Sequence, residues 1–189
     1  MSRKKCLAVF ASGTGSNFEA IVTACEQGKI PAETVALVCD KPSARVVERA
    51  SRHGVKSFTF DPKSFASKVE METVIADFLD ENGVDLVCLA GYMRIISDTL
   101  LSRYDGKIII HPSLLPAFPG ARAVEQAMEY GVKVFGVTIH YVDRTVDGGR
   151  IIAQRAVPYE GNDIDELFGL IHAVEHELYP ETIARLLSV

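Results

Sequence analysis

The stretch CLAVFASGTGSNFEAI, residues 6–21, joins an apolar run to a glycine-rich turn and then to the start of an amphipathic helix. The run Cys6–Ala11 has the length of a buried strand and stops at Ser12-Gly13. That is shorter than the roughly 7–15 apolar residues of a signal peptide, despite the positive charges that precede it. Gly13 and Gly15 permit positive φ and leave backbone amides uncovered, while Ser16 and Asn17 are suited to cap the helix that follows. Apolar positions in NFEAIVTACEQGK recur at helical spacing and end near Gly28. Strand, tight glycine turn and helix in this order open a Rossmann-type unit.

Outward from this segment the rhythm repeats. TVALVCD reads as a strand, ARVVERASRHG as a helix stopped by Gly54, and SFTF as a short strand. FASKVEMETVIADFLDENG carries helical spacing to Gly83; DLVCLAG and KIIIH are further strands, with a short helix near Ser97–Arg103 between them. Such alternation predicts a parallel sheet with right-handed crossovers. Beyond Pro119 the pattern changes: a helix over Ala121–Tyr130, then VFGVTIHYV and RIIAQRAVP, close enough in sequence to pair antiparallel. DIDELFGLIHAVEHELYPETIARLLSV completes the chain as a long helix with a proline, Pro180, where a kink is expected. The fold class is therefore α/β: a Rossmann-like, mostly parallel sheet flanked by helices, extended by antiparallel C-terminal strands and a long C-terminal helix. The 189 residues, without repeat or linker, read as one domain.

Hydrophobic residues at 48% and charged residues at 24% describe an ordinary globular protein, and no apolar run reaches the ~18 residues of a membrane span. A net charge of −5 with no basic stripe argues against nucleic acid as a partner. No membrane partner and a cytoplasmic location are expected. The four cysteines form no C-x-x-C pair, and Cys6, Cys39 and Cys88 fall within strands, so Cys6, Cys25, Cys39 and Cys88 read as free thiols rather than a metal or disulfide set.

The glycine turn opening a helix is a ready anion site. A full dinucleotide fingerprint requires a third glycine where Phe18 stands, so a phosphomonoester fits better than a pyrophosphate, and a ligand-free tight turn fits the same residues. In open parallel sheets ligands collect beyond the C-terminal strand ends, where Gly13, Gly91 and His111 are all expected. His111 closes KIIIH, and Pro112 and Pro116 stiffen the loop behind it. An imidazole there carries protons near neutral pH; it also suits a purely structural role. In HYVDRTVDGGRI, Asp143 and Asp147 flank a glycine turn. Asp147 gains chemical meaning only if it meets His111, where it would orient a proton relay.

FASGTGSNFEAI, DLVCLAGYMRIIS, IHPSLLPAFPGA, GVTIHYVDRTVDGGRIIAQ and EHELYP together make the chain similar, over essentially its full length, to the glycinamide ribonucleotide formyltransferase family. The resemblance implies a single formyltransferase domain, 1–189, with a nucleotide- and phosphate-binding half (1–100) and a catalytic and folate-binding half (101–189). It implies transfer of a formyl group from 10-formyltetrahydrofolate to the amine of glycinamide ribonucleotide in purine synthesis, without a metal, by a monomer or homodimer. By motif, His111 corresponds to the general acid/base and Asp147 to the carboxylate that raises its pKa. Gly15, Ser16 and Asn17 match the phosphate loop, and Glu175 with His172 the nucleotide side of the last helix. Met93, Arg94, Ile95 and Ile96 match the segment holding the folate pterin, Ile109 also falls on the folate side, and Lys68 matches the position of an arginine near the folate tail.

The chain departs from that pattern beside His111. The family motif carries an asparagine whose amide donates to the developing oxyanion, and here the position is Ile109. Loss of one such donor costs roughly 10²–10³ in turnover. Arg122 replaces a histidine, Arg144 stands where a small or acidic residue is usual, and Thr14 replaces an asparagine. The expectation is a formyltransferase with reduced turnover. The alternatives are a non-catalytic folate- or nucleotide-binding homologue, or a formyltetrahydrofolate hydrolase-like activity.

Overall fold

The computed structural model describes residues 3–104 and 107–188. Seven strands form one sheet: β1 (Lys5–Phe10), β2 (Ala32–Cys39), β3 (Lys56–Thr59), β4 (Leu86–Leu89), β5 (Ile108–His111), β6 (Val134–Tyr141) and β7 (Ile151–Pro158). The helices are α1 (Ser16–Glu26), α2 (Arg45–Arg52), α3 (Lys68–Glu81), α4 (Asp98–Leu101), α5 (Ala123–Tyr130) and α6 (Ile164–Leu187). The strand order is β3-β2-β1-β4-β5-β6-β7. The first five strands run parallel; β6 and β7 extend the sheet antiparallel. The mostly parallel sheet with antiparallel C-terminal strands matches the sequence expectation.

Strands covered on both faces read as apolar runs, and alternation sorts their side chains between two cores. Leu7, Val9, Cys88, Ile108 and Ile110 face one cluster with α1 and α6. Ala8, Phe10, Val87 and Leu89 face a second with α3 and α4, against which Ile109 packs. Tyr179 of α6 is fully buried, its hydroxyl 3.0 Å from the Leu89 carbonyl and 3.1 Å from that of Ile108. The long helix is thus fixed where β4 meets β5. It continues through Pro180 as one element.

The four cysteines are free thiols; Cys25, Cys39 and Cys88 are buried, and burial pushes the Cys88 thiol far above its ordinary range. Among the described residues no helix is long and apolar enough to cross a membrane.

Candidate active site

A cleft of about 760 Å³ opens where β1, β4 and β5 end. Its walls include residues 13–17, residues 89–96, Ile109, His111, residues 120–125, residues 142–147, Phe168, His172 and Glu175. Gly13, Gly91 and His111 all lie on it, as the strand-end argument requires.

The glycine turn is built differently from the sequence reading. Gly15, not Ser16 or Asn17, is the N-cap of α1, with φ 75° and no side-chain cap. A Cβ at Gly15 would lie 2.5 Å from Val46 Cγ2, so both conformation and space demand glycine. Gly13 is not among the residues with positive φ. Asn17 turns away from capping: its Nδ2 donates to Glu175 Oε2 at 2.9 Å across buried space between α1 and α6, while its Oδ1 has no partner. Burial raises the Glu175 carboxyl above the usual range, against the opposing influence of Asn17 and His172. The His172 ring stacks between Phe168 (centroids 6.0 Å apart) and His176 (6.3 Å), along one stripe of α6.

His111 and Asp147 meet. His111 Nδ1 lies 3.3 Å from Asp147 Oδ2, with both side chains nearly enclosed. The other ring nitrogen, Nε2, sits 2.9 Å from the Phe118 carbonyl. Both nitrogens therefore face oxygens that only accept. Asp147 also accepts from Gly120 N–H at 2.6 Å. Its second oxygen lies 3.5 Å from His140 Nε2, a buried nitrogen that makes no hydrogen bond among the described residues. His140 Nδ1 lies 2.7 Å from the Tyr141 carbonyl, to which only an N–H can bond. Burial pushes the Asp147 carboxyl up, but His140, the Gly120 N–H and His111 outweigh it and leave it below the usual carboxylate range. Asp147 has φ 51°, a left-handed conformation that aspartate tolerates better than most residues. Close behind it, a Cβ on Gly149 would lie 1.7 Å from the Tyr141 carbonyl oxygen, so the loop folds back this tightly only with glycine there.

The segment Met93–Ile96 forms another wall. Met93 N–H donates to Ser12 Oγ at 3.0 Å, and Arg94 lies 3.8 Å from buried Asp40. Met93 and Ile95 are exposed, Ile96 buried. Glu72 of α3 pins the end of this segment: it accepts from Ser97 N–H at 2.9 Å, from the Ser97 hydroxyl, and from Leu100 N–H at 3.3 Å. Ile109 lines the cleft beside His111. Lys68 is not brought to the cleft wall; it stands at the start of α3, 3.9 Å from Glu72. Arg144 bridges to Asp98 at 2.7 Å, and Arg122 (φ 57°) lies near Glu125 and Glu129; both arginines are exposed and line the cleft. Sequence reasoning missed His140 and Glu72. The signal for His140 was available in its alternation along β6; for Glu72, a polar residue on the buried stripe of α3 was the clue.

The formyl transferase family model matches residues 5–183. The chain is 52% identical to a phosphoribosylglycinamide formyltransferase of Bacillus subtilis, over 98% of this chain and 96% of that protein. A solved glycinamide ribonucleotide transformylase 1 from Geobacillus kaustophilus superposes with a TM-score of 0.95 at 52% identity, covering 98% of this chain and all of that one. A trifunctional purine biosynthetic protein of Gallus gallus is 38% identical over 99% of this chain, which spans 19% of that longer protein. On sequence, fold and the full-length match, the chain belongs to the formyl transferase family.

Proposed function

We propose that this chain transfers the formyl group of 10-formyltetrahydrofolate to the amine of glycinamide ribonucleotide, in purine biosynthesis. The observation that carries the reading is the meeting of His111 and Asp147 at 3.3 Å on the same cleft as the glycine turn. Its support is the match to proteins named for that reaction.

In this reading residues 1–189 act as one unit. The half 1–100 supplies the phosphate loop, Gly15, Ser16 and Asn17, and the folate wall Met93–Ile96, and Ile109 borders the folate from the half 101–189. The half 101–189 supplies His111 and Asp147, with His172 and Glu175 on the nucleotide side. The substrate amine attacks the formyl carbon, forming a C–N bond and an oxyanion. Collapse breaks the bond to the folate nitrogen, which takes a proton as the attacking amine loses one. His111 is suited to stabilise the oxyanion and relay that proton once its Nε2 turns from the Phe118 carbonyl to the substrate, with Asp147 holding the ring through Nδ1. Lys68, at the edge of α3, is left to contact only the distal folate tail.

Ile109 favours a second reading, a binder that has lost transfer, because it sets a branched apolar group on the cleft wall beside His111. The test is incubation with both substrates while following folate absorbance and product mass. Formylated ribonucleotide supports transfer. Binding of both ligands without product supports the second reading, and formate release without the ribonucleotide points to a hydrolase.

A further inference from the structure

Behind the glycine turn, outside the cleft wall, lies a chain of charged side chains with no part in the chemistry above. Arg49 of α2 donates from Nε to the Thr14 carbonyl at 2.9 Å and from Nη1 to Glu19 Oε2 at 2.9 Å. Glu19 Oε1 lies 3.0 Å from His53 Nε2, and His53 Nδ1 lies 2.8 Å from Glu26 Oε1. One position earlier, Val46 N–H donates to the Gly13 carbonyl at 3.2 Å. Two successive carbonyls of the turn are therefore turned toward α2. In a trans peptide the N–H points opposite the C=O of the same plane. Holding the Gly13 and Thr14 carbonyls on α2 thus aims the Thr14 and Gly15 N–H groups away from α2, and both residues line the cleft.

We propose that Arg49 is a positioning residue for the phosphate loop, keeping its amides aimed at the nucleotide phosphate, and that Glu19 and His53 hold Arg49 in place. This rests on the reading of the glycine turn as the phosphate site. A glycine-flanked peptide flips easily, and a flipped Thr14 carbonyl would present an oxygen to an anion. Glu19 stands in the first turn of α1, where an unpaired carboxylate would repel a phosphate at the same helix terminus. Arg49 and His53 neutralise it.

Both ring nitrogens of His53 face carboxylates, so the arrangement needs an N–H on each. Glu19 and Glu26 raise the His53 ring above its ordinary value. Burial would raise Glu19, and the His53 and Arg49 bonds outweigh it. The other charged or titratable groups around His53 are Arg49 and Arg52 on α2, Cys25 on α1, Glu33 and Lys56 on the neighbouring strands, Lys4 and Glu81. His176 of α6 faces Arg49 and is held low by burial, then by His172 and Arg49. With the His53 value raised in the folded protein, the network is complete below the ordinary histidine value and is lost as pH rises through the raised one.

The experiment is calorimetric titration of glycinamide ribonucleotide into the unaltered protein and into Arg49→Met, Arg49→Lys, Glu19→Gln and His53→Gln, with steady-state kinetics from pH 6 to 9. Arg49→Met should weaken ribonucleotide binding about tenfold or more, the usual scale of a lost charge-assisted bond, with folate affinity kept. KM for the ribonucleotide should rise while kcat changes little, because the phosphate is remote from the reacting carbon. Arg49→Lys should recover part of the loss, and Glu19→Gln, a near-isosteric change that guards against misfolding of the first variant, should weaken binding in the same direction. His53→Gln should flatten the alkaline rise in KM. Ribonucleotide that fails to bind the unaltered protein sinks the phosphate assignment and this inference with it. Binding to the unaltered protein and equally to folded Arg49→Met and Glu19→Gln sinks the inference alone, as does a parallel loss of folate affinity.

Discussion

Replacing Asp147 by asparagine removes one negative charge and almost no volume, which makes it a direct probe of the His111 site. Asparagine can still accept from the Gly120 N–H, so the turn 145–149 keeps its main anchor. What is lost is the attraction between the carboxylate and positive charge developing on the ring 3.3 Å away. At that separation two unit charges interact by about 1.3 kcal/mol in water and about 5 kcal/mol at an effective dielectric of ~20. Both side chains are nearly enclosed, so the larger figure is the nearer limit, and the residual amide dipole reduces it. With ~1.4 kcal/mol per decade, kcat/KM should fall between about tenfold and a few thousandfold. The assay is folate absorbance with saturating ribonucleotide, beside calorimetry showing that ribonucleotide affinity is kept. A second readout follows from the carboxyl itself, which sits below its usual range when folded. Such a group stabilises the fold above the ordinary aspartate value near ~3.9, and that contribution vanishes as pH falls through the lower folded value. The Tm difference between the two proteins should therefore shrink on acidification. A folded Asp147→Asn protein with kcat/KM within twofold of the original would refute the role of the pair.

Three further outcomes are expected. Glu175→Gln should raise Tm near neutral pH, because burial disfavours the charged carboxyl: its raised folded value stabilises the fold only below the ordinary ~4.3 and is lost as pH rises. The gain should disappear near pH 4 while ribonucleotide affinity drops, and a Tm gain independent of pH would count against the argument. Glu72→Gln turns an amide NH₂ toward N–H and O–H donors at Ser97 and Leu100, and should cost roughly 1–3 kcal/mol in denaturant unfolding and weaken folate binding more than ribonucleotide binding. Ile109→Asn should raise turnover by about one to three orders of magnitude, read in the same absorbance assay.

The sequence made the strand–helix alternation legible because burial on two faces writes continuous apolar runs, and caps such as Gly28, Gly54 and Gly83 mark helix ends. It also placed His111 and the glycine turn on one edge, since that follows from strand direction alone. What it could not give were interactions set by packing between distant elements. Asn17 is chemically a good helix cap, yet α6 brings a buried carboxylate within reach, and the stronger partner wins. His140 enters the site through the antiparallel register that sets it opposite Ile109, and Glu72 through the fit of α3 against the segment before α4. Lys68 is a different case: the motif sets it by the folate tail, and the structure shows it at the start of α3 with Glu72 3.9 Å away.

Position 109 is where fold and chemistry are hardest to separate. Alternation along β5 sends Ile108 and Ile110 into the core shared with α1 and α6, and Ile109 to the face shared with His111. There Ile109 pairs in register with Leu89 on one side and His140 on the other, packing against the second core while bordering the cleft. Asparagine at this site forfeits apolar contact, which for a half-buried isoleucine costs on the order of 1–3 kcal/mol of stability. The same change sets an N–H donor beside the imidazole, where an oxyanion forms in the proposed reaction. The two effects have opposite signs in different measurements: Tm falls for the packing reason, and turnover of the folded enzyme rises for the chemical one. A variant that loses stability and gains no rate would mean that Ile109 serves the core alone, and that this cleft stabilises its transition state through His111 without help from the neighbouring side chain.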